Sequence, residues 1–90
     1  MTMDSNNINE KRNTNSAIKL RIQNLLKQKN MTQYRLTMKS GVPHSTLSNI
    51  MNKIVDDNKF STIIMIANGF DMTVSEFLDD PIFIDLAESL

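Results

Sequence analysis

Cysteine is absent, which excludes disulfides, thiolate nucleophiles and cysteine-based zinc sites together. Tryptophan is absent too, and one Tyr with four Phe is too little for the aromatic platform on which single-strand binders stack bases. Two Gly and two Pro in 90 residues cannot supply the turns of an all-β chain, and strand-like alternation is missing, so helices are the default. The longest unbroken apolar run, Ile63 to Ala67, is far short of the roughly 20 residues that span a bilayer, and the Asn-rich start lacks an apolar signal segment. A soluble, unprocessed, cytoplasmic chain with no membrane partner is expected. With a single His and with acids placed at caps and loop edges, no metal site, cofactor site or catalytic constellation is visible.

What the chain has is segregated charge. The net charge is zero, with ten basic and ten acidic residues, but the signs are sorted along the sequence. Lys11, Arg12, Lys19, Arg21, Lys27, Lys29, Arg35, Lys39 and Lys53 fall in a window, 11–55, that holds no acid. From Phe60 onward come Asp71, Glu76, Asp79, Asp80, Asp85 and Glu88 and no base. A field divided in this way is the footprint of a surface that meets phosphates while the rest stays off them.

The first fifteen residues carry five Asn and only isolated apolar residues, which bury too little to offset their ordering entropy, so 1–15 is expected to be a flexible arm. Ser16 is the expected N-cap of a first helix over about 17–29, with Ile18, Ile22, Leu25 and Leu26 at helical spacing and Asn30 in the left-handed conformation that ends it. Thr32 caps a second helix over about 33–40, whose expected apolar side is Tyr34, Leu36 and Met38. Gly41 offers the positive φ of a tight turn, and Pro43 presets the entry to a third helix over about 44–51. Val42, Leu47 and Ile50 face inward there, leaving His44, Ser45, Ser48, Asn49 and Asn52 on a polar side without an acid. After a loop at 55–58, Phe60, Ile63, Ile66 and Ala67 form the inward stripe of a fourth helix, with Asp71 left-handed at its end. Thr73-Val74-Ser75-Glu76 is a capping box opening a fifth helix over about 74–79, and the acidic apolar tail 81–90 can add a short sixth. One domain over 16–80 between an arm and a tail follows.

The informative unit is Met31 to Ile50, two short helices joined by a Gly-centred turn with apolar residues spaced to lock them at a steep angle. With Arg21-Ile22, Leu25 and Lys27 before it and Ile66-Ala67 and Thr73 to Leu78 after it, the chain resembles the Cro/repressor (XRE-type) family of helix-turn-helix transcriptional regulators. The resemblance covers roughly 17–78. It implies an all-α, compact five-helix repressor-type domain and a sequence-specific regulator, most simply a repressor, of a double-stranded DNA operator. It also implies base-edge contacts from His44, Ser45 and Asn49, with Ser48 as a fourth, and a phosphate clamp at Gln33 on the amino end of the second helix, where Thr32 sits as the cap. Arg21, Lys27, Asn52 and Lys53 are candidate backbone contacts, and Lys11 and Arg12 of the arm can reach along the duplex. The chain departs from the family in having Thr37 where Ala is usual, Pro43 where a Ser cap is usual, and no Arg or Lys on the third helix. Asn and Ser without Arg point to A·T-leaning contacted positions.

One helix in one groove reads few base pairs, so a homodimer on paired half-sites is expected. Ile64 and Met65 on the fourth helix, with Ile82, Phe83 and Leu86 of the tail, are the candidate dimer surface; the alternative is that the tail folds back over Ile64 and Met65 in one chain. The same family also contains antitoxins of toxin–antitoxin pairs, which combine operator binding with masking of a partner protein, and this is the second reading.

Overall fold

The computed structural model describes residues 13–52, 59–84 and 86. Its elements are α1 (Thr14–Gln28), α2 (Gln33–Ser40), α3 (His44–Asn52), α4 (Phe60–Gly69), α5 (Val74–Leu78) and a 3-10 turn (Pro81–Phe83). The core is a single cluster drawn from every α-helix: Ile18, Ile22, Leu25, Leu36, Val42, Leu47, Ile50, Met51, Ile63, Ile66, Ala67, Phe70 and Phe77. Helical spacing places most of these on inward stripes.

The ends of the helices follow from local chemistry. At the end of α1 Asn30 takes φ 53°, Met31 N–H donates to Leu26 C=O at 2.8 Å and Asn30 N–H to Lys27 C=O at 3.2 Å. At the end of α4 the arrangement recurs: Asp71 has φ 62°, Met72 N–H donates to Ala67 C=O and Asp71 N–H to Asn68 C=O. Both are Schellman closures on a non-glycine residue, and in each the following Met packs against the core, as that motif favours. Thr32 accepts from Arg35 N–H at 3.0 Å to start α2, and the Thr73–Glu76 capping box is complete at the start of α5.

Three expectations are corrected. The first helix begins at Thr14, because Asn13 rather than Ser16 is the N-cap and its Oδ1 accepts from Ser16 N–H at 2.8 Å; what was expected of the arm at 1–12 lies outside the described residues. On α2 only Leu36 is buried, while Tyr34 and Met38 stand 68% and 63% exposed, since no neighbouring helix covers that side of this eight-residue helix. Phe60, expected on the inward stripe of α4, is 60% exposed; it lies in the first turn, before the helix reaches the core at Ile63.

The described start of the tail, 81–84, folds back onto α1. The 3-10 turn packs on α1, and Phe83 lies against the core with its ring 6.1 Å from that of Phe77. Phe83 is therefore not part of an exposed dimer surface. No helix among the described residues is long and apolar enough to cross a membrane.

α4 packs most closely against α2, and the contact is set by Gly69. A methyl group there would stand 2.7 Å from Ser40 Cβ and 3.1 Å from Ser40 Cα, atoms that move only with the backbone. Gly69→Ala is expected to destabilise the fold by about 1–2 kcal/mol, because overpacking costs roughly 1–3 kcal/mol and outweighs the helix-propensity gain of at most about 1 kcal/mol. The midpoint of urea denaturation measures it; an unchanged or higher midpoint would show that α2 and α4 can separate freely.

Candidate nucleic-acid interface

The turn between α2 and α3 aims the exposed face of α3. Gly41 ends α2 in the left-handed region at φ 78°, with its N–H on Thr37 C=O at 3.0 Å; Val42 N–H then donates to Ser40 Oγ at 3.1 Å, and Leu47 N–H reaches Pro43 C=O. Thr37, where a smaller Ala was the norm, is half-buried and satisfies its hydroxyl by donating to Tyr34 C=O at 2.6 Å, so the extra oxygen leaves no unpaired group. Val42, Leu47 and Ile50 are buried as expected, and Met51 joins them.

With its apolar side inward, α3 presents His44, Ser45, Asn49 and Asn52 fully exposed and Ser48 half-exposed. These recur at three- and four-residue intervals along one stripe, and Asn52 Nδ2 donates to Ser48 Oγ at 3.2 Å, holding neighbouring turns of the stripe in one orientation. No acid lies on it. The amino end of α2 opens beside an open cleft of about 400 Å³, with Gln23, Lys27, Asn30, Thr32 and Gln33 on its rim over Leu26, Met31 and Met51. Thr32 Oγ1 takes Arg35 N–H, which leaves the Gln33 and Tyr34 amides at the start of α2 without an intrahelical acceptor. The structure thus brings Lys27, Thr32 and Gln33 together around the cleft. Lys53 lies outside the described residues.

Arg21 is the exception among the expected phosphate contacts. It is 8% exposed, and its guanidinium is occupied inside the fold: Nε donates to Phe77 C=O at 2.7 Å, Nη2 to Glu76 C=O at 3.1 Å and Nη1 to Asp80 Oδ2 at 3.0 Å. It also lies 5.8 Å over the Phe77 ring. The carbonyls it meets are those a helix leaves unpaired at its carboxyl end, so Arg21 is a side-chain cap for α5, reaching across from α1. Its assignment as a DNA contact is withdrawn. Sequence spacing placed it on α1 but could not show a partner more than fifty positions away.

Lys39 is likewise engaged, 2.7 Å from Asp71 Oδ2. The hydrogen bond from Lys39 and then its charge, with a smaller contribution from Lys29, hold the Asp71 carboxyl below the usual aspartate range.

The profile of the Cro/C1-type HTH DNA-binding domain matches residues 21–81, more than half of the chain. The chain belongs to that family. A search of curated proteins finds no match. The Cro/C1-type assignment makes the chain a member of a family of DNA-binding regulators rather than of enzymes; among the described residues no three His, Asp or Glu side chains are grouped to hold a metal ion.

Two predictions come from these engagements. Arg21→Ala should cost about 2–4 kcal/mol in denaturant unfolding, since it strands the Phe77 carbonyl and removes the cation beside the half-buried Asp80 carboxylate, whereas Lys27→Ala should change stability by less than about 0.5 kcal/mol. Equal effects would mean that Arg21 is not a cap. For Asp71 the folded-state pKa is the lower one, so its pairing stabilises at neutral pH and the benefit is lost as pH falls from the ordinary aspartate range through the folded value. A carboxyl-detected NMR titration should place Asp71 below the other exposed aspartates, and Lys39→Met should return it to them; high salt should shrink the difference.

Proposed function

We propose that this Cro/C1-type protein is a sequence-specific repressor that lays α3 in the major groove of an operator. The observation that carries the proposal is the acid-free polar stripe of α3, displayed by burial of Val42, Leu47 and Ile50 on the other side. His44, Ser45, Ser48 and Asn49 then read base edges: Asn offers adenine a donor and an acceptor, and Ser bonds either kind of edge. Gln33 and Thr32, with the free amides of α2, take one phosphate, and Lys27, Asn52 and Lys53 take its neighbours. With no Arg on α3, guanine is read weakly and the contacted positions lean to A·T.

Two copies on half-sites about 34 Å apart are the arrangement that gives such a short reading helix enough sequence. Ile64 and Met65, joined by the exposed Phe60 one turn before Ile64, are the apolar residues on α4 that favour it as the two-fold surface. Ile82 and Leu86 of the tail, both half-buried, contribute at most its edge.

Selection of bound duplexes from a random pool should return paired A·T-rich half-sites. On the selected duplex, affinity should fall steeply with salt because several phosphate contacts release counterions. Asn49→Ala should lose about 1–3 kcal/mol and relax preference at one base position, while Gln33→Ala should weaken all duplexes alike. A flat salt response, or the same specificity profile for both variants, would overturn the assignment of roles.

A further inference from the structure

Two exposed patches of opposite charge take no part in the reading face. The first is on α2, where Tyr34 and Met38 lie one turn apart and largely in solvent, with Arg35 exposed beside them. Tyr, Met and Arg are the side chains that protein interfaces enrich. No carboxylate among the described residues pairs with the Arg35 guanidinium, because Asp71 holds Lys39, Asp80 holds Arg21 and Glu76 closes the α5 capping box. The second set flanks the 3-10 turn: Leu78 and Asp79 at the end of α5 and, six residues after Leu78, the 71% exposed Ile84. Asp79 is the acid left without a side-chain partner among the described residues.

Each patch pairs large apolar side chains with one unpaired charge, and the charges are opposite. Within one chain they do not meet, because α4 packs against both α2 and α5 while those two share no extensive contact of their own. We propose that the occupant of each is the other patch on a second copy: Tyr34, Arg35 and Met38 of one molecule dock on Leu78, Asp79 and Ile84 of the next. The two patches are carried on helices that share no extensive contact, so the docking is taken as heterologous, repeating from copy to copy rather than closing as a reciprocal pair. Copies seated on neighbouring sites of one duplex then stabilise each other, and adjacent sites fill together. The contact is distinct from the two-fold surface on α4 and does not depend on which bases α3 reads.

Sedimentation of the full chain without DNA tests it. At low salt the weight-average mass of the wild type should keep rising with concentration past that of a dimer, and added salt should reverse the rise. Arg35→Glu alone and Asp79→Arg alone should each halt growth at or below the dimer, and the double variant, in which the two charges are exchanged, should grow again. Both side chains are exposed, so circular dichroism should show all three variants folded. A wild-type mass that levels off at the dimer, single reversals without effect, or a double variant that does not recover would each overturn the proposal.

Discussion

The direction of α3 depends on the close approach of α4 to α2 at Gly69, where there is no room for a methyl group. That approach lets Leu36, the one buried side chain of α2, reach the α4 stripe of Ile63, Ile66 and Ala67. With α2 fixed against α4, the left-handed Gly41 and the Ser40 hydroxyl turn the chain within three residues, and burial of Val42, Leu47 and Ile50 fixes the rotation of α3 about its axis. A side chain at 69 would push the backbones apart, and the displacement would be passed on to α3 because a close-packed interior has no slack to absorb it.

α5 depends on a different interaction. Five residues cannot hold a helix by propensity, since an isolated helix shorter than about 12 residues is marginal in water. Here both ends are closed by side chains: the Thr73–Glu76 box satisfies the amino end, and Arg21 satisfies the carboxyl end from another element. Asp80 then serves twice, its Oδ2 pairing with Arg21 and its Oδ1 accepting Ile82 N–H to start the 3-10 turn that carries Phe83 to the core. A charge that is almost fully buried is tolerated because every acceptor it meets is fixed and the Asp80 carboxylate is near.

The parts legible in the sequence are those decided within a few residues. Asn30 and Asp71 stop helices because their short polar side chains tolerate positive φ, Thr32 and Thr73 start helices because their hydroxyls reach an amide three residues on, and Gly41 turns because it lacks a side chain. The α3 stripe was legible for a related reason, as periodicity alone separates its two sides. What the sequence could not disclose was non-local. Tyr34, Met38 and Phe60 have the right residue type and nearly the right spacing for burial, but whether an apolar residue is covered depends on where neighbouring helices end. Arg21 was misassigned because a cation in an acid-free window is indistinguishable from its phosphate-facing neighbours until the fold brings Glu76, Phe77 and Asp80 to it.

Removing Arg21 from the DNA contacts sharpens the division of labour in the candidate interface. The residues that can discriminate bases, His44, Ser45, Ser48 and Asn49, bring no permanent cation, so they add little to the sequence-independent attraction. The cations proposed to supply attraction sit elsewhere, on α1 and around the cleft at the start of α2, and none of them lies on the stripe. In a reader that uses Arg on its recognition helix the two quantities are coupled, because one side chain both neutralises charge and recognises guanine. In the interface proposed for this chain they are separable. Affinity can be tuned by Lys27 and its neighbours without altering which sequence is preferred, and preference can be altered on α3 without losing the electrostatic hold on the duplex.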